Sequence, residues 1–172
     1  MTIVDSFFVD AGVSYRGTAP CISLSGLWHL EGETVAILAD GIEQPQQVVV
    51  GGCITLTTPA YVVHAGLPYV SDMQTLPASM ERVMALGQTT KANINKVVLR
   101  VRQSTGIDVG PSFDNLTASL PPPGGDPLEL QTGRIEVVIE PTWGDDAQVC
   151  LRNTHPLPLE VLSLALDIAQ GG

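Results

Sequence analysis

His29 and Glu31 stand two residues apart in Ser25-Gly26-Leu27-Trp28-His29-Leu30-Glu31-Gly32, so in an extended strand both side chains face one side. An imidazole beside a carboxylate is the smallest unit that can relay a proton or begin a metal site. A zinc site needs more ligands at workable spacing, and none of His29, His64 and His155 is so placed relative to another His, Cys or carboxylate. Asp145-Asp146 after Gly144 lacks the DxDxDG run of a calcium loop and reads as a turn. The nucleophile elbow GxSxG and the phosphate loops GxxxxGK[ST] and GxGxxG are absent. A hydrolase on this chain would have to bring carboxylates such as Glu31 and Asp145 together from distant loops. A Trp-His pair flanked by glycines fits a packed strand end better, here the opening strand and corner of a small barrel. No catalytic, cofactor-binding or metal-binding residue is assigned, and no cofactor is expected.

Aromatic rings offer a second kind of chemistry, stacking against sugars. The chain has eight: Phe7, Phe8, Tyr15, Trp28, Tyr61, Tyr69, Phe113 and Trp143. A β core consumes several, which favours core or interface placement. A receptor- or carbohydrate-binding module would instead expose Trp28, Trp143 and Tyr69 near acidic side chains.

The elements that must position these residues are strands. Apolar and polar residues alternate over 8–15, 34–39, 47–50, 54–57, 61–64, 94–102, 134–140, 148–152 and 159–168, the period of half-buried strands. Asp40-Gly41 and Gly51-Gly52 are hairpin-turn dipeptides, and Gly106, Gly133 and Gly144-Asp145-Asp146 separate later strands. Pro121-Pro122-Pro123-Gly124-Gly125 reads as an extended loop. The one short helix expected is Ser79 to Leu86, with Met80, Val83 and Met84 on one face, Ser79 as N-cap and Gly87 as the stop. Leu162, Leu164, Leu166 and Ile168 fall on alternate positions, so the last segment is also a strand.

The chain is therefore expected to be all-β. Closely spaced hairpins over 20–66 suit a small β-barrel, and longer strands over 67–172, joined by 1–19, suit an antiparallel β-sandwich into which the barrel is inserted. The boundary falls near Gly66-Leu67-Pro68-Tyr69.

With 172 residues, 44% of them hydrophobic, the chain can bury a sizeable core. Only 15% are charged, the net charge is −10 and the mean hydropathy is +0.23, which suits large protein contacts. Residues 1–81 carry −7, residues 82–102 carry +5 with no acid, and residues 103–172 carry −8. The basic stripe of Arg82, Lys91, Lys96, Arg100 and Arg102 could face phosphates, but on an acidic chain pairing with acidic strands or another subunit is the favoured reading. In register, Val97, Leu99 and Val101 share one face while Lys96, Val98, Arg100 and Arg102 share the other. Ile135, Val137 and Ile139 oppose Glu136, Val138 and Glu140 in the same way. Were the two strands neighbours, a basic face would meet an acidic one, at about 0.2–1 kcal/mol per pair.

Cys21, Cys53 and Cys150 cannot all pair internally, which fits a reduced protein made in a cytoplasm. Neither a secretory signal nor an apolar run of membrane-spanning length is present, so no membrane anchor is expected.

Gly26-Leu27-Trp28-His29-Leu30-Glu31-Gly32, Thr34-Val35, Leu38-Ala39-Asp40-Gly41, Gly51-Gly52 with Ile54-Thr55-Leu56, and Val63-His64-Ala65-Gly66-Leu67-Pro68-Tyr69 resemble the C-terminal part of a family of bacteriophage tail proteins similar to the tail nozzle, or tubular, protein of short-tailed phages. Thr75-Leu76-Pro77, Asn95-Lys96-Val97-Val98-Leu99-Arg100-Val101, Gly106-Ile107-Asp108-Val109-Gly110-Pro111, Val149-Cys150-Leu151-Arg152 and His155-Pro156-Leu157-Pro158-Leu159 continue the likeness, which spans about residues 7–168. The resemblance implies a non-enzymatic virion protein of the tail. Its expected partners are other tail proteins and copies of itself in a ring, with DNA passing but not specifically bound. Members are longer, so this chain resembles a C-terminal piece or a reduced relative. They often carry a dense Lys/Arg run before the strand at Ile94, where this chain has Lys91-Ala92-Asn93.

Overall fold

A computed structural model describes residues 3–77, 91–120, 130–140, 143 and 147–170. The described chain is all-β, with antiparallel pairing throughout. The helix expected at Ser79 to Leu86, the Pro121 to Gly125 loop and the Gly144-Asp145-Asp146 turn lie outside the described residues. No helix among the described residues is long and apolar enough to cross a membrane. The chain divides into two compact units at Val70/Ser71, with Thr154–Pro158 returning to the first.

The first unit holds β1 (Asp10–Ser25), β2 (Thr34–Ala39), β3 (Ile42–Val48) and β4 (Cys53–Leu67), in the order β1-β4-β2-β3. Its hairpins are those the dipeptides predict. Asp40 and Gly41 both have positive φ, +49° and +82°, as do Gly51 and Gly52 at +61° and +67°, the backbone that a two-residue turn between twisted strands demands. The segments expected at 54–57 and 61–64 are one continuous strand, β4. The opening strand, expected with the sandwich through residues 1–19, pairs along β4 from Asp10↔Leu67 to Ser25↔Cys53. Register shifts interrupt this pairing between Asp10 and Val13 and around Cys21.

β2 is buried on both faces. Val35, Ile37 and Ala39 join a core with Leu24, Leu27, Leu30, Ile54, Leu56 and Val63, while Leu38, pointing the other way, is 1% exposed. The run Val35-Ala36-Ile37-Leu38-Ala39 therefore reads as continuously apolar.

Among the described residues no closed barrel is found: β1 and β3 are the sheet's edges. Where β3 approaches the first half of β4, side chains replace a ladder. Gln47 accepts from the Thr55 N–H and donates to the Thr55 carbonyl. Gln44 accepts from the Thr57 N–H at 2.8 Å and donates to the Thr58 carbonyl at 3.0 Å. Each amide bonds as a peptide unit would, and Pro45 at the strand's centre removes a donor that a true ladder would need.

The second unit holds two sheets. One is β5 (Ser71–Gln74), β7 (Ile107–Ser112), β8 (Asn115–Leu120) and β10 (Cys150–Asn153), ordered β5-β10-β7-β8. The other is β6 (Ala92–Ser104), β9 (Gln131–Val138) and β11 (Val161–Gln170), ordered β11-β6-β9. Val97, Leu99, Val101 and Val137 from the second share one core with Ile107, Val109 and Leu151 from the first. The register read from sequence holds, with Val97 and Leu99 at 0% and Val101 at 1% exposure. Gly133, expected as a separator, lies inside β9 at φ +140°. A bulge between Val161 and Ser163 turns Leu162 out to 52% exposure, while Leu164, Leu166 and Ile168 pack on the core.

Candidate functional site

Trp28–Leu30 is a single 3-10 turn between β1 and β2, not a strand, so His29 and Glu31 do not share a side. The chain must leave β1 and reverse within a few residues, and Gly26 (φ +98°) and Gly32 (φ +82°) flank that reversal. The His29 ring bonds the Ala11 carbonyl through Nε2 at 2.7 Å. Glu31 turns the other way and clasps the Gly51-Gly52 turn, its two carboxylate oxygens accepting from Gly51 N–H at 2.8 Å and Gly52 N–H at 2.7 Å. The Trp28 indole lies over Gly52, where a Cβ would collide with it.

Asp40 does similar work in its own hairpin, accepting from Tyr61 N–H at 3.0 Å and Val62 N–H at 2.8 Å. Three residue types that chemistry would use thus hold backbone turns to strands. No group of three or more His, Cys, Asp or Glu side chains among the described residues is placed to hold a metal ion. Asp145 lies outside the described residues.

Sequence reading missed a row that the register creates across the first sheet. Ser14 faces His64, His64 faces Leu38, and Leu38 faces Glu43. Ser14 Oγ is 2.7 Å from His64 Nδ1, and His64 Nε2 is 3.0 Å from the Val4 carbonyl. The Phe7 ring stands edge-on to the imidazole at 5.7 Å. At the far end His155 Nδ1 meets Glu43 at 2.8 Å. A hydroxyl on an oriented imidazole is the spacing of a nucleophile and its base. Here the row also fastens the Ile3–Asp5 turn and the Thr154–Pro158 segment over the face that carries Leu38. Fifty residues separate Ser14 from His64, and only the β1–β4 register brings them together.

The second unit has its own charged cluster. Arg152 forms a two-pronged pair with Asp72, 2.8 Å on each prong, and its guanidinium sits 4.9 Å from the centre of the Phe113 ring. The Arg152 hydrogen bonds hold the Asp72 carboxyl below the ordinary carboxylate range. Beside them burial pushes the Cys150 thiol up, and the Asp72 charge adds to it. The basic stripe is partly paired: Lys96 binds Glu136 at 3.1 Å and Arg102 binds Glu160 at 2.8 Å, but Arg100 faces Arg134.

Several large apolar side chains remain exposed. Around the Gly51-Gly52 turn, Val48 and Val50 point outward at 52% and 71% with Val49 buried between them, and Trp28 is 70% exposed. At the second unit's edge, β5 is exposed along its length, with Met73 at 44% and Leu76 just beyond it at 86%. No protein-family model matches the chain, and no curated protein matches it.

Proposed function

We propose that the chain is a structural virion protein, a domain of a bacteriophage tail nozzle or tube-like component that acts through subunit contacts. The observation that carries this reading is the exposed apolar surface around Trp28, Val48 and Val50, set on a rigid turn that Glu31 holds closed. Apolar surface grouped this way marks a protein contact. Trp28 opens the run to Gly41 that most resembles the tail family. In this reading the first unit is a barrel-like module completed by Gln44 and Gln47, and the second is a two-layer sandwich. The mechanism is geometric: the patch and open edges such as β5 pack against a second copy or the next tail component. A net charge of −10 suits a ring whose wall lets phosphates slide past.

Gold-labelled antibody against the chain, viewed by electron microscopy on the particle that encodes it, should decorate the tail below the portal. Light scattering should show the chain assembling with further copies of itself. Label absent from intact particles sinks the reading.

A receptor- or carbohydrate-binding role is the second reading, favoured by the exposed rings of Trp28, Tyr61 and Tyr69 in the first unit. It requires host oligosaccharides to shift Trp28 fluorescence, with the response lost in Trp28→Ala.

A further inference from the structure

Arg100 on β6 stands directly opposite Arg134 on β9, and Ser163 on β11 faces Arg100 from the other side. Two guanidinium groups and a hydroxyl therefore form one row across three strands. Like charges directly opposite destabilise a sheet, and this chain has only 8 basic residues against 18 acidic ones, so the pairing is not forced by composition.

Local carboxylates neutralise the row only in part, at Arg134. Glu136 is shared, one oxygen taking Arg134 at 2.6 Å and the other Lys96 at 3.1 Å. Arg102 is matched by Glu160. Arg100, exposed, has no carboxylate partner among the described residues. The two arginines border a groove of about 520 Å³ whose other walls are small or short: Val98, Gly133, Ser163 and Ala165. Open space lies where a Cβ on Gly133 would stand.

We propose that this groove is an oxyanion site that takes a phosphate group between Arg100 and Arg134. Planar guanidinium forks give paired, charge-assisted hydrogen bonds to tetrahedral oxyanions, and the Ser163 hydroxyl supplies a third donor. Because the chain as a whole repels anions, binding rests on these short-range bonds and not on long-range attraction. The phosphate is either free or part of a nucleic-acid backbone. The proposal does not depend on the tail reading.

The test titrates the full chain with sodium phosphate against sodium chloride at constant ionic strength, following the arginine Nε–H signals by NMR. Phosphate should move the Arg100 and Arg134 signals and spare that of Arg102. Arg100→Gln should weaken binding about tenfold or more, as expected when a charge-assisted bond is lost, and Arg100→Lys should weaken it too because the fork is gone. Arg102→Gln should leave it unchanged. Arg100 and Arg102 are both exposed, and circular dichroism checks that each variant is folded. A labelled single-stranded oligonucleotide that displaces phosphate identifies the backbone source; one that does not identifies the free anion. Equal shifts with chloride, equal loss in Arg102→Gln, or stronger displacement by an acidic peptide than by phosphate or oligonucleotide would each overturn the proposal.

Discussion

Ser14 Oγ lies 2.7 Å from His64 Nδ1 across a direct β1–β4 pair. The ring's other nitrogen faces the Val4 carbonyl, which can only accept, so Nε2 donates there and Nδ1 is left to the serine hydroxyl. His64 is 7% exposed and packs against Phe7, whereas Ser14 is exposed and water can take its place. His64→Ala should cost about 2–3 kcal/mol in urea unfolding, through lost packing and two lost hydrogen bonds, and Ser14→Ala less than about 1 kcal/mol. A double-mutant cycle should return about 0.5–1.5 kcal/mol of coupling. Zero coupling would mean that the pair is not formed in solution.

The Gly51-Gly52 turn separates backbone strain from contact. Both glycines have positive φ, so alanine at either should cost about 1–2 kcal/mol for the left-handed backbone. Open space surrounds a Cβ on Gly51, while one on Gly52 meets Trp28. Gly52→Ala should therefore be the more destabilising and should alone shift Trp28 emission. If the two variants unfold alike with unchanged fluorescence, the indole does not rest on Gly52.

Acid should act through Asp72 and Glu136. The Arg152 hydrogen bonds lower Asp72 and the Lys96 hydrogen bond lowers Glu136. A carboxylate depressed by folding contributes stability above the ordinary carboxylate range and loses it as pH falls through its lowered value. At neutral pH, Asp72→Asn and Glu136→Gln should each be less stable than the parent chain, and the gap should close below that range. A gap independent of pH would show that the ion pairs do not set it.

Thiol reactivity should sort the cysteines. All three are free, with Cys21 and Cys53 half-buried and Cys150 at 1% exposure, its thiol pushed up by burial. Since the thiolate is the reactive form, iodoacetamide should label Cys21 and Cys53 in the folded chain and Cys150 only on unfolding. Mass spectrometry of timed digests reads this directly, and early labelling of Cys150 would contradict its burial.

Most strands, though not β5, β7 or β8, the two hairpin turns and the inward faces of β6 and β9 are legible because period-two patterning and Asp-Gly or Gly-Gly dipeptides are local signals. Pairings over long separations were not. Ser14 with His64, Arg152 with Asp72 and Gln44 with Thr57 depend on register between distant strands, which no short window contains. The exposed strand β5 (Ser71-Asp72-Met73-Gln74) carries no alternation of its own and is a strand because β10 pairs with it. Trp28-His29 looked extended because glycines flank it, yet those same glycines admit the 3-10 turn.

The missing ladder between β3 and β4 makes the last prediction. Gln44 is 8% exposed and satisfies the Thr57 N–H and the Thr58 carbonyl, so Gln44→Leu leaves two backbone groups on a part-buried seam without those partners. That should cost about 2–4 kcal/mol. Gln47, half-buried, serves only Thr55 at a wetter point of the seam, so Gln47→Leu should cost about 1 kcal/mol. Hydrogen exchange separates this from a general loss of stability: the Thr57 amide should exchange faster in Gln44→Leu, even under conditions where the Val63 amide, deep in the same strand, keeps its protection. If both amides accelerate together, the glutamines do not hold the seam and the sheet opens as a whole.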